Sequence, residues 1–127
     1  IEDGRQAAAV GAVEYLPTYG ATGSGAAHEG DFDYYTNPQR GAIPAWSNRF
    51  ATQSWEGWLN FDPVASAARV TAPTLLIHSE AAALPDQARK VHATLPGEKR
   101  IVWLDGGHFD FYDDAETTSA AVDAPTA

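Results

Sequence analysis

Two short apolar runs constrain this chain more than any other feature. They are Thr74-Leu75-Leu76-Ile77-His78 and Ile101-Val102-Trp103-Leu104. A brief continuous run of this kind is the pattern of a strand buried on both faces. Between the two lies a stretch over residues 85–95 in which Ala88, Val91, His92 and Leu95 recur at helical spacing. Pro73 precedes the first run, and Pro96-Gly97 ends the helical stretch. Strand, helix and strand in that order predict a parallel pair joined by a right-handed crossover, and therefore an α/β fold. Around this core, Asp62-Pro63 predicts a short helix over residues 64–69, with Asp62 as its N-cap. A closing helix is expected over residues 116–122, stopped by Pro125.

The chain changes texture near Phe61. The part up to that residue is rich in Gly, Ala, Tyr and Trp, and the part from Asp62 has the cleaner alternation of elements. An alanine-rich helix is expected over residues 5–16, weakened at Gly11 by about 1 kcal/mol relative to alanine. Residues 17–37, with Gly20, Gly23, Gly25 and Gly30, read as one long loop. From Ile43 onward, Trp46, Phe50, Ser54 and Trp58 lie four apart, which predicts an aromatic stripe on one helical face. Such a stripe is a core or docking face, or else the lining of a substrate pocket. The expected organisation is thus one domain in two parts, residues 1–61 and 62–127.

Composition bounds the function. The chain has 127 residues with 44% hydrophobic and 11% aromatic content, which suits a globular domain. It contains no cysteine, so it offers neither a thiolate metal site nor a cysteine nucleophile. A formal net charge of -9 repels phosphate backbones and anionic lipid, so neither nucleic acid nor a membrane is an expected partner. No apolar run reaches the length of a membrane span, and no signal-peptide pattern opens the chain. The expected compartment is the cytoplasm. Methionine is absent and the sequence starts Ile1-Glu2-Asp3-Gly4, so the expectation is a trimmed chain or a piece of a longer one.

In open α/β sheets, ligands bind beyond the carboxyl ends of the strands. After the second run comes Asp105-Gly106-Gly107-His108-Phe109-Asp110. A histidine after paired glycines at a strand end projects with little backbone hindrance, and its titration range suits proton transfer near neutral pH. His108 is therefore the first catalytic candidate. A general-base histidine needs a carboxylate to hold its tautomer. In the loop after the first run, His78-Ser79-Glu80-Ala81-Ala82-Ala83-Leu84, the one carboxylate is Glu80, the second catalytic candidate. Asp86 reads as a helix cap. Trp46 and Phe109 are candidate substrate-binding residues.

A nucleophile elbow of the form Gly-x-Ser-x-Gly is absent, and Ser24 follows no apolar strand. Asp105, His108, Asp110, Asp113 and Asp114 form an oxygen-rich cluster, but their spacing matches no calcium loop. No metal and no cofactor are expected.

These motifs together resemble the C-terminal half of an α/β-hydrolase of the dienelactone-hydrolase-like branch. The segment Gly41-Ala42-Ile43-Pro44-Ala45-Trp46-Ser47-Asn48-Arg49-Phe50, with Ser54-Trp55-Glu56, is similar to that branch's helix after the cap region. Ala72-Pro73-Thr74-Leu75-Leu76-Ile77-His78-Ser79-Glu80 resembles its penultimate core strand and acid loop, and Trp103 to Asp113 its last strand and histidine loop. The resemblance spans residues 32–122. It implies a partial α/β-hydrolase fold, with C-terminal parallel strands and crossover helices after a cap-like N-terminal segment.

The resemblance also implies an ester or acyl hydrolase, with a small-molecule ester or acyl substrate. His108 then stands at the triad histidine, as base toward a serine or cysteine. The family's acid position is occupied by Ala81, which cannot orient an imidazole. The nucleophile elbow and oxyanion loop of the family lie before anything in this sequence. The missing half, or a second copy in a homodimer, is then the expected partner. A non-catalytic binding or dimerisation module built from half of the fold is the alternative.

Overall fold

The computed structural model describes residues 2–124, and the expected stop at Pro125 lies outside them. The chain divides into two compact units, Ile1–Phe61 and Asp62–Ala127. Both are mixtures of helices and short strands. The strands form three separate two-stranded sheets among the described residues, so the continuous sheet of a full α/β-hydrolase is not present.

In the first unit, α1 (Glu2–Ala9) stops well short of the expected residue 16. Gly11 adopts φ +72, and its N–H closes on the Ala8 carbonyl at 3.1 Å. Left-handed backbone is what glycine tolerates, and it ends a helix. The residues after it form β1 (Tyr15–Pro17), antiparallel to β4 (Arg49–Ala51), with Leu16 opposite Phe50.

The expected long loop carries structure as well. β2 (Tyr19–Gly20) and β3 (His28–Glu29) pair in parallel, and α2 (Asp33–Thr36) follows. The turn between β2 and β3 closes on the Glu29 carboxylate, which accepts from the N–H groups of Gly23 at 2.9 Å and Gly25 at 2.6 Å. Those two bonds hold the Glu29 carboxyl below the usual carboxylate range, Gly23 contributing most.

The aromatic stripe does not lie on one helix. Trp46 sits in a turn, Phe50 in β4, and Trp55 and Trp58 in α3 (Ser54–Asn60). Asn48, at φ +45, breaks any helix through this segment. Its side-chain amide bonds both the N–H and the carbonyl of Tyr19, at 2.9 and 3.0 Å. Strand pairing has overridden a four-residue spacing that is only approximately helical. The rings meet all the same. Phe50 lies 4.7 Å from Trp55, Tyr19 stacks on Tyr35 at 4.2 Å, and the His28 ring is 5.3 Å from Tyr19 and 5.4 Å from Trp58.

In the second unit, α4 (Pro63–Ala67) starts as its sequence predicts, with the Asp62 carboxylate accepting from Ala65 N–H at 2.9 Å. β5 (Thr74–His78) and β6 (Lys99–Trp103) form the parallel pair, His78 opposite Trp103. They are joined through α5 (Pro85–Thr94). Neither strand is buried on both faces, since a two-stranded sheet has no layer to cover its second side; Leu75 is 36% exposed.

Leu95 and Ala67 are buried, and α4 packs on α5. Lys99 donates to the carbonyls of Ala93 and Leu95 at the end of α5, where a cation suits the unpaired oxygens. The closing helix expected over residues 116–122 is present as α7 (Ala115–Asp123), and a further short helix, α6 (Asp110–Asp113), precedes it. No helix among the described residues is long and apolar enough to cross a membrane.

Candidate functional site

The two strand-end loops are tied together by Ser79, whose residue surface is 1% exposed. Its hydroxyl donates to the Gly106 carbonyl at 2.5 Å and accepts from Ala81 N–H at 3.1 Å. The Ser79 carbonyl accepts from Ala82 N–H at 3.2 Å and from the His78 ring at 2.9 Å. This serine is a wedge between β5 and β6, with its hydroxyl committed in both directions. No motif in the sequence singles it out. A small polar residue directly after a buried-strand pattern was the available signal, because the carbonyls that leave a sheet there need a partner.

Gly106 adopts φ +130, a backbone closed to side-chain-bearing residues, and a Cβ there would come within 3.2 Å of Thr117. Gly107 N–H donates to the Asp110 carboxylate at 2.6 Å, so Asp110 shapes the turn that presents His108. Among the described residues, two polar groups meet the His108 ring. Ala83 N–H lies 3.5 Å from Nδ1, and the Tyr112 hydroxyl lies 3.2 Å from Nε2. Phe109 and Tyr112 meet the ring edge-on, with centroids 5.1 and 5.4 Å away.

Beside these groups is a cavity of about 220 Å³. Its walls include Ile77, Ser79, Ala82, His108, Phe111 and Tyr112. Phe111 lines this cavity, whereas Phe109 packs on the imidazole. Tyr112 lies four residues after His108 and so on the same side, which is the sequence signal for its place here.

Glu80 does not reach His108. Its carboxylate is bound by Arg89, which also pairs with Asp86 at 3.1 Å and lies over the Trp103 ring at 4.4 Å. Asp86 is therefore an ion-pair partner and not the cap of α5. That helix is entered through Leu84 in left-handed backbone, φ +57, without a side-chain cap. Among the described residues no carboxylate is hydrogen-bonded to the His108 ring. Trp46 belongs to the first unit, where its ring lies 6.0 Å from Tyr19 and from Tyr35. Ser24 is also in that unit, and its hydroxyl accepts from Ala26 N–H at 3.3 Å. A second, more open apolar hollow of about 490 Å³ lies there, lined among the described residues by Gly57, Trp58 and Phe61. Among the described residues no group of three or more His, Asp or Glu side chains is arranged to hold a metal ion.

Asp114 supports the site from behind. It caps α7, accepting from the N–H and the hydroxyl of Thr117, both at 2.8 Å. These bonds, the backbone one first, hold its carboxyl below the ordinary value of 3.8. With the folded value lower than the unfolded one, the cap stabilises fully above the ordinary carboxylate range and is lost as pH falls through the folded value. Asp114→Ala is expected to melt lower than the parent at neutral pH. The two melting curves are expected to converge in strong acid; a constant gap between them would mean the carboxylate's charge is irrelevant.

The fold and cavity define a mixed α/β protein with its pocket at the carboxyl ends of a parallel strand pair. No protein-family model matches the sequence, and no curated protein matches it. Among solved structures, DcsB, determined in complex with its substrate analogue, is similar with a TM-score of 0.73 at 21% identity. The likeness covers 98% of this chain and 46% of the DcsB chain. At that identity it shows a shared fold, and this chain spans less than half the length of DcsB.

Proposed function

We propose that this chain is the C-terminal portion of an α/β-hydrolase fold of the dienelactone-hydrolase-like kind, with residues 1–61 as a cap-like part. In this reading its strand-end cavity takes the acyl part of a small ester or acyl substrate. His108 is the imidazole that meets the attacking group. That group comes from outside the described residues, from a preceding segment or a second copy, since Ser79 and Ser24 are engaged elsewhere and the chain has no cysteine. One observation carries the reading: His108 lies on the wall of an open hollow beyond the paired strands, with Nδ1 turned to the loop at residues 79–84, where a triad acid would stand. The match to DcsB, a protein seen with a substrate analogue, is in keeping with a ligand site on this fold.

The test is hydrolysis of p-nitrophenyl butyrate by the full-length protein. His108→Ala is expected to lower kcat by about 10²-fold or more, the share a positioned base contributes. A kcat that survives this substitution removes His108 from the chemistry.

A second reading, a non-catalytic acyl-binding module, is favoured by a specific feature. Where a triad histidine meets a carboxylate, His108 meets the Ala83 N–H, and the acid position holds Ala81. An N–H at Nδ1 opposes the imidazolium that base catalysis must form. Binding of the ester without turnover would decide for this module.

A further inference from the structure

We propose that His78 reads the ligand of the strand-end cavity. Its Nε2 accepts a hydrogen bond from a hydroxyl on the acyl chain, so the site prefers a neutral hydroxyacyl group to the plain acyl group. The inference rests on the cavity being the acyl site proposed above, adds the substrate class to it, and leaves the role of His108 as it stands.

His78 ends β5 opposite Trp103, and its ring lines the same cavity as His108. The backbone sets its tautomer. Nδ1 lies 2.9 Å from the Ser79 carbonyl. A carbonyl only accepts, so Nδ1 carries the proton, and the neutral imidazole is then bare at Nε2. The Trp103 ring meets the imidazole edge-on, with centroids 5.5 Å apart, and is itself held under the Arg89 guanidinium. Nε2 has no hydrogen-bond partner among the described residues. Nor is it sealed in: the buried, unpartnered side-chain nitrogen among those residues is Nε2 of His92. The loop has no need of the ring for its own satisfaction, because the Ser79 carbonyl already accepts from Ala82 N–H at 3.2 Å. An imidazole fixed at one nitrogen by a backbone carbonyl and open at the other is an acceptor set before the ligand arrives.

The acceptor selects by charge as well as by shape. A carboxylate has no proton to give a neutral imidazole. An ammonium needs a carboxylate to offset its desolvation, and none lines the cavity among the described residues. A hydroxyl is neutral and donates, and Ile77, Ala82 and Phe111 give the hydrocarbon chain that carries it apolar contact. The Ser79 hydroxyl does not compete for it, being committed to Gly106 and Ala81.

Two measurements on the full-length protein test this. Long-range proton–nitrogen NMR above the histidine titration range is expected to show His78 protonated at Nδ1 and bare at Nε2. The second is a comparison of Kd values for N,N-dimethylbutyramide, an acyl probe with no proton to donate, its α- and β-hydroxy derivatives, and their methyl ethers. At least one hydroxy derivative is expected to bind about 3–10-fold more tightly than the unsubstituted amide, the worth of one neutral hydrogen bond. Its methyl ether keeps the oxygen, loses the proton and is expected to lose the gain. His78→Phe keeps a ring against Trp103 and removes the acceptor, and in it the hydroxy and unsubstituted amides are expected to bind alike.

An Nε2–H ring at His78, equal Kd values for the hydroxy and unsubstituted amides, an ether that binds as well as its alcohol, or a hydroxyl preference that survives in His78→Phe would each overturn the proposal. Should His78→Phe not fold, the tautomer and the ether comparison decide without it. The two readings fail separately. Amide binding without a hydroxyl preference, beside ester hydrolysis that depends on His108, removes His78 and leaves the hydrolase reading standing. A hydroxyl preference that vanishes in His78→Phe, beside hydrolysis indifferent to His108, does the opposite. No saturable binding of any probe removes the cavity as an acyl site and this inference with it.

Discussion

Replacing Phe50 by alanine is expected to cost about 3–5 kcal/mol and to unfold the first unit. The magnitude is that of emptying a buried aromatic site, the lost transfer energy plus the cavity left behind. Phe50 is 8% exposed, at the centre of β4 and opposite Leu16. Its ring lies 4.7 Å from Trp55 and 6.4 Å from both His28 and Trp58. Other large apolar side chains of the unit stay in solvent, Trp58 at 60% and Phe61 at 70% exposure. A core this thin has little to spare against the marginal stability of small domains, about 0.05–0.15 kcal/mol per residue. Urea titration followed by tryptophan emission checks the result, because Trp46, Trp55 and Trp58 report on the first unit and only Trp103 on the second. Phe50→Leu is expected to lose less, since most of the volume remains. An unmoved midpoint in Phe50→Ala would show that the aromatic cluster is not what holds this unit.

Ser79→Ala is the second large effect, with an expected cost of about 1–3 kcal/mol for the buried groups left without partners. The Gly106 carbonyl loses its donor and Ala81 N–H its acceptor, and with them goes the tie between the loops after β5 and β6. Glu80→Ala is the control. Its ion pair with Arg89 is exposed on both sides, and such pairs are worth about 0–1 kcal/mol. Equal urea midpoints for Ser79→Ala and Glu80→Ala would show that the wedge carries no weight.

Some of this was legible in the residues alone. The pair β5 and β6 could be read from two short apolar runs flanking a helical stretch, although the double burial that such runs predict is not present in a two-stranded sheet. The cap at Asp62 could be read from a carboxylate before proline. The first unit is less legible. Its strands are two or three residues long, and their pairing depends on distant partners, such as Ala51 for Tyr15. Glu80 is the one carboxylate in the loop after β5, which makes it the candidate to orient His108 on sequence alone. Nothing in one dimension could show that Arg89, one helix turn into α5, would claim it.

By itself, the sequence determined which segments bury apolar surface, where a proline or capping carboxylate starts a helix, and that a histidine follows paired glycines at a strand end. These follow from local sterics and from spacing along the chain. Tertiary structure decided which groups face that histidine: a backbone N–H at Nδ1, a phenol at Nε2, and no carboxylate hydrogen-bonded to it among the described residues. The physical reason is that a hydrogen bond is won by distance and direction to within a few tenths of an ångström. Those are properties of how loops from two strands pack against each other, and no pattern of residue types encodes them.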